Sequence, residues 1–211
     1  MRYRLGGFTL AETIIIVAVV GILAMTATVV FREPDRLALA RDQIILHIRY
    51  TQHLGVMDDK FDPSDANWRF RRWRLRFENT GFPEYAGGKA NGWSYSIFAD
   101  KDKGANNAPS LGELAKDPLT KRLLSGGFND SLKSADPRAT PEMALWYWRV
   151  ETLVFTNCNR SIAFDEIGRP YNAGAKTIKA LTRTCKITLK GENEESASVC
   201  IEPETGYAHE C

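Results

Sequence analysis

A chain of 211 residues is long enough for one substantial domain with an appended element and too short for two full-sized domains. Its 28 basic and 26 acidic side chains leave a net charge of +2, which singles out no highly charged partner. The 44% hydrophobic content is ordinary for a soluble protein but unevenly placed, because one long apolar run lies close to the N-terminus.

Residues 1–7 read MRYRLGG, and from Phe8 to Phe31 the only ionisable side chain is Glu12. That run has the length of a membrane-spanning helix, about 20 residues. A secretory signal peptide would have a shorter apolar core with small residues before its cut, and Met25 spoils a cut after Ala27. A plain membrane anchor explains the hydropathy but neither the Gly6-Gly7 pair nor a carboxylate near the start of the span. An unpartnered carboxylate at the bilayer centre costs about 2.5–3.5 kcal/mol, so Glu12 either finds a partner or snorkels to the headgroups. Arg2 and Arg4 precede the span while Arg32, Arg36 and Arg41 follow it, so positive charges alone do not orient it.

The segment Gly7-Phe8-Thr9-Leu10-Ala11-Glu12, followed by a long apolar helix, resembles the class III signal of type IV prepilins and type II secretion pseudopilins. The resemblance implies that a prepilin peptidase of the inner membrane cuts after Gly7 and methylates the new N-terminus at Phe8. Arg2 and Arg4 would hold the leader in the cytoplasm, and glycine would let the protease approach an unobstructed backbone. Their loss would remove the whole basic excess. Glu12, one helical turn from the new amine, is implied to neutralise the amine of a neighbouring subunit during filament assembly. Val29 stands where many family members carry a helix-kinking proline, Pro34 comes later, and Ala11 replaces a commoner leucine. The expected organisation is a cleaved leader at 1–7, a transmembrane and filament-core helix at 8–31, an amphipathic continuation at 32–57, and a periplasmic β-rich globular domain at 58–211.

After Pro34 the sequence keeps a helical rhythm, with Leu37, Ala40, Ile44, Ile48 and Thr51 on one stripe and Gly55 near its end. His47 and His53 on this helix suit polar-face or boundary positions better than ligand roles. Beyond residue 66, aromatic and β-branched runs predict strands at 68–77, 93–99, 145–156, 161–164, 186–190 and 198–202. The turn-rich stretch 100–141 predicts little core and one short helix through 119–124. The pattern predicts an α+β fold with a long N-terminal hydrophobic helix packed on a mostly antiparallel sheet, which the resemblance implies is pilin-like. The segment from Ile162 to Pro170, IAFDEIGRP, resembles a strand and glycine turn of H-type minor pseudopilins and their fimbrial relatives, as do Ala40-Arg41 through Tyr50 and Glu204-Thr205-Gly206-Tyr207.

Cys158, Cys185, Cys200 and Cys211 form no C-x-x-C pair, so the even count favours disulfides in an oxidising compartment over zinc or redox chemistry. Three connectivities are open, and proximity favours Cys158 with Cys185 and Cys200 with Cys211. The last pair would resemble the disulfide-bounded end of many pilins. Trp68 to Phe77 interleaves aromatics with arginines, as single-stranded nucleic acid binders do, which makes Arg72, Arg74 and Arg76 candidate DNA contacts. The alternative is a half-buried strand whose arginines are solvated or paired. Asp100 to Asn107 offers oxygens for calcium, but its spacing is incomplete and Lys101 and Lys103 oppose capture; no metal or other cofactor is expected. His47, His53 and His209 fall in no nucleophile, metal or phosphate motif, and no enzymatic activity is expected. The expected function is a structural, minor subunit of a type IV pilus or type II secretion pseudopilus, partnered by other pilins or pseudopilins. The alternative is a DNA-binding minor pilin of an uptake system.

Overall fold

Thr9 and Glu12 start the first helix, α1, which runs Leu10–Val30. The Thr9 hydroxyl accepts from the Glu12 amide at 3.3 Å, and the Glu12 carboxylate accepts from the Thr9 amide at 2.8 Å and its hydroxyl at 2.9 Å. This reciprocal capping box satisfies donors that a helix N-terminus otherwise leaves open. The computed structural model describes residues 9–30, 35–79, 92–101, 108–129, 131–133, 135–192 and 195–211, with the α1 side chains followed to Met25. Each of those α1 side chains is exposed. Among the described residues no helix is long and apolar enough to cross a membrane. The described α1 side chains stop short of the roughly 20 residues that a crossing takes. Residues 1–35 and 36–211 form two compact units.

In the second unit the expected amphipathic helix is α2, Arg36–Met57. Its apolar stripe of Leu37, Ala40, Ile44, Ile48 and Thr51 is buried as the spacing predicts, together with Ile45 and Gly55. This is the helix that packs on strands, touching members of two antiparallel sheets. One sheet has the order β2-β1-β4-β5-β6, built from β1 Arg74–Asn79, β2 Trp93–Phe98, β4 Ser161–Phe164, β5 Pro170–Ala173 and β6 Ile178–Ala180. The other has the order β3-β7-β8-β9, built from β3 Thr152–Thr156, β7 Cys185–Lys190, β8 Ser196–Ile201 and β9 Ala208–Glu210. The α+β class with antiparallel sheets therefore holds. Ile44 and Ile48 meet Leu75, Phe77 and Tyr95 from the first sheet and Ile187, Leu189 and Val199 from the second in one core. Burying each such side chain contributes about 1.5–3 kcal/mol.

Three expectations about the strands change. The run 68–77 is not one strand, because Trp68–Arg71 winds as a 3-10 turn before β1 begins. The Trp68 amide donates to the Asp65 carbonyl and Arg71 pairs with the Asp65 carboxylate, and both contacts need the chain to curl back. Likewise Leu145–Trp148 is a 3-10 turn that ends on Arg149 at φ 60°, so only the second half of 145–156 is extended. The stretch 108–141 contributes core rather than avoiding it. Leu114, Ala115, Leu124, Leu132 and Ala139 are buried, and no helix forms across 119–124. The segment instead lines the free edge of β2: the Ala115 amide donates to the Ile97 carbonyl at 2.8 Å and the Ile97 amide to the Leu124 carbonyl at 2.9 Å. Covering an edge strand this way leaves it unable to recruit another chain. Strands β5, β6 and β9 are too short to announce themselves by alternation.

His47, on the flank of α2, hydrogen-bonds the Tyr95 hydroxyl at 2.7 Å inside this core. Burial pushes its pKa down to about 4, against a smaller opposing pull from Asp117. An unfolded chain then binds a proton near pH 6.5 that the folded one refuses, so stability should fall as pH drops from 6.5 towards 4. At about 1.4 kcal/mol per unit the loss is on the order of 3 kcal/mol. His209 acts with the opposite sign, since its bond to Glu202 raises its pKa, but it lies at the surface with its side chain 32% exposed and contributes little. Urea titrations of wild type and His47→Gln across this range check the assignment: the variant should lose most of the slope, and an unchanged slope would place its origin elsewhere.

Candidate functional site

The residues that sequence nominated lie in separate places. Gly7 and Phe8 lie outside the described residues. Glu12 is described, and its carboxylate is held by Thr9 at the first turn of α1. That local bond is a partner the charge argument overlooked, although Thr9-x-x-Glu12 is the spacing of a capping box and was legible in the sequence. The cysteines pair as proximity favours, Cys158 with Cys185 and Cys200 with Cys211. The first bond ties the β3–β4 connection to the start of β7, and the second closes β9 onto β8. Each such bond stabilises by roughly 2–4 kcal/mol.

The three candidate arginines do not make a solvated stripe. Arg74 is 1% exposed and so is not on the solvated face that alternation assigns it, whereas Arg72 and Arg76 have the acidic partners that the strand reading expects. Its guanidinium donates to the Phe70 carbonyl, and through Nε to the Arg72 carbonyl at 3.3 Å, while its plane lies over the Phe98 ring. Burial lowers its pKa to about 10 even though the charges of Asp100 and Glu113 pull the other way. Arg72 is sandwiched between the Trp68 and Tyr171 rings, 4.9 and 4.6 Å from their centroids, and pairs with Glu166 at 3.3 Å. Arg76 pairs with Glu78 at 3.1 Å. Trp73, Leu75 and Phe77 do face the core as alternation predicts.

The turns at Asp165–Gly168 and Pro203–Gly206 converge with α2 on one junction. Gln52 of α2 donates through Nε2 to the carbonyls of Gly168 and Thr205, both at 2.8 Å, so one amide staples the β4–β5 turn and the β8–β9 turn to the helix. Asp165 holds the first turn closed. It accepts from the Arg169 amide at 2.7 Å, the Arg169 guanidinium at 3.0 Å and the Tyr171 hydroxyl at 3.0 Å. Burial opposes its ionisation, but these donors together keep its pKa below the usual carboxylate value. Gly206 sits at φ 65°, where an added Cβ would stand 2.5 Å from the Gly168 carbonyl and 2.7 Å from the Gln52 amide. Gly206→Ala should therefore cost about 1–3 kcal/mol, seen as a lowered melting temperature; an unchanged one would mean the turn relaxes without loss. Nothing in the local sequence pointed to Gln52, because its partners come from turns far along the chain.

Of the acidic loop considered for calcium, residues 102–107 lie outside the described residues. Glu113 ties the flanks of that loop, accepting from the Lys101 amide at 2.7 Å and from the Ser110 amide and hydroxyl at 3.0 and 2.7 Å. Among the described residues no group of three or more His, Cys, Asp or Glu side chains is placed to hold a metal ion. No family model matches the chain, and no curated protein or solved structure is detectably similar to it.

Proposed function

We propose that the chain is a structural subunit, of the minor kind, of a type IV pilus or type II secretion pseudopilus. The carrying observation is a capped apolar helix, exposed at each side chain described from Leu10 to Met25, whose one charge, Glu12, lies in its first turn, in a chain whose separate α+β unit is closed by two disulfides. An exposed apolar helix of this kind is stable only against lipid or other protein, so it supports insertion and assembly. The run extends from Phe8 to Phe31 in the sequence, beyond the described side chains at both ends, and reaches the length of a bilayer crossing. Prepilin peptidase would remove residues 1–7, the helix would sit in the inner membrane, and residues 36–211 with their two disulfides would lie in the oxidising periplasm. Subunits would then be drawn into a filament through α1. This function asks for no catalytic residue and no cofactor.

Intact mass of the protein recovered from its native membrane tests the proposal. A chain that begins at methylated Phe8 is the expected result. An unprocessed chain beginning at Met1, or one cut near Ala27, would sink it.

A further inference from the structure

Alternation in β1 turns Leu75 and Phe77 to the core and Arg76 and Glu78 to the other face of the sheet. Towards β2 that face is covered by the segment through Ser125 and Gly127. Ser94, opposite Glu78, donates through its hydroxyl to the Gly127 carbonyl at 2.7 Å, and Ser96, opposite Arg76, shares a hydrogen bond with the Ser125 hydroxyl at 2.7 Å. Towards β4 the ladder ends at Arg76 with Ser161, two residues short of Glu78. A cleft of about 370 Å³ lies there, lined in part by Arg76, Glu78, Phe128, Asn159 and Ala173. Its size is at the small end of the range of about 300–1,000 Å³ for sites that hold small molecules.

Arg76 and Glu78 approach each other at 3.1 Å, Nε to Oε1, with side chains only 28% and 17% exposed. Among the described residues neither has another ion-pair or hydrogen-bond partner, so the Nη groups and Oε2 are left to a ligand or to water. Burial raises the Glu78 pKa and the pull of Arg76 is the smaller effect, so this carboxylate is short of donors. Asn159 is anchored by its backbone amide, which donates to Asn172 Oδ1 at 2.7 Å, and its side chain is exposed. Arg160 is also at the cleft, with its guanidinium 4.8 Å from the centroid of the Trp93 ring, a member of the core.

We propose that this cleft binds a neutral sugar ring, with two adjacent hydroxyls seated on the Arg76–Glu78 pair. A hydroxyl both donates and accepts, so one can donate to Glu78 Oε2 while its neighbour accepts from an Arg76 Nη group. Ions fit the pair worse, because Glu78 repels a carboxylate or phosphate and Arg76 repels an ammonium. A wholly apolar ligand would strip water from both charges without replacing its hydrogen bonds. The Asn159 amide supplies a further donor and acceptor, and Phe128 with Ala173 supplies apolar surface for the C–H face of the ring. The site is independent of filament assembly, and its failure would leave that function untouched.

The test titrates full-length protein, in micelles of a detergent without sugar headgroups, with glucose, galactose and mannose, read by saturation-transfer NMR. The uronic acid and the amino sugar of each serve as charged counterparts. At least one neutral sugar should bind with a Kd on the order of 1 mM, and its charged counterparts at least about tenfold more weakly. Arg76→Ala and Glu78→Gln should each weaken binding at least about tenfold, with urea denaturation checking that each variant is folded. Asn159→Ala, at an exposed position, keeps the test decisive if either of those fails to fold: about threefold weaker binding supports the site and unchanged binding overturns it. No neutral sugar bound at about 50 mM, undiminished binding in either folded pair variant, or tighter binding of an acidic or amino sugar would also overturn the proposal.

Discussion

Glu12→Ala should still be processed but should enter filaments at least about tenfold less well than wild type, a loss equivalent to 1.4 kcal/mol or more. Two causes act together in that variant, because Glu12 both caps α1 through Thr9 and carries the one charge of the apolar run. The cap accounts for about 1 kcal/mol of helix stability. A terminal amine left unneutralised beside lipid costs several kcal/mol, so the charge should dominate. Glu12→Gln separates them, since glutamine at this position of a capping box still accepts from the Thr9 amide but brings no charge. If Glu12 neutralises a neighbour's amine, the glutamine variant should fail almost as badly as alanine. The comparison is made on sheared filaments, by the ratio of subunit in the filament to subunit in the membrane. Wild-type incorporation of Glu12→Gln would leave only the capping role standing.

Arg74→Ala should destabilise the folded unit by about 3–5 kcal/mol, the range for removing one member of a buried charged group. The loss has two parts: the Phe70 and Arg72 carbonyls lose their donor, and the charges of Asp100 and Glu113 remain in a low-dielectric surrounding. Arg76→Ala, whose partner Glu78 lies on the same strand, should cost about 1 kcal/mol or less. Chemical denaturation of the two variants checks the contrast, and equal small losses would show that Arg74 is not the structural member of the set. The result bears on the DNA-uptake alternative. A triple alanine variant of Arg72, Arg74 and Arg76 would lose nucleic acid binding through unfolding alone, so any salt-dependent binding is to be tested with Arg76→Ala, which keeps the fold.

Much of the architecture was legible because it rests on short-range periodicity. The buried stripe of α2 follows from apolar residues three and four apart, and β2, β4 and most of β7 and β8 follow from short aromatic and β-branched runs bounded by turn residues. Failures came where the composition of a run met a partner outside that run, near or far along the chain. Trp68–Arg71 has strand composition but curls because Asp65 offers its carbonyl and its carboxylate to that turn. The turn-rich stretch 108–141 looks like loop in composition, yet its backbone donors and acceptors are satisfied by the edge of β2. Arg74 reads as a surface residue by type, and only the packing of Phe98, Asp100 and Glu113 around it makes its burial tolerable.

By itself the sequence determined the apolar run with its single carboxylate, the capping spacing from Thr9 to Glu12, the amphipathic α2 and the pool of four cysteines. All are properties of neighbours along the chain, set by period, charge and composition. The tertiary structure alone decided that Gln52 joins the turns at Gly168 and Thr205, and that Arg74 is buried while Arg76 is not. Those outcomes depend on which distant segments meet, and a burial or a hydrogen bond between residues 116 or 153 positions apart has no local signature to read.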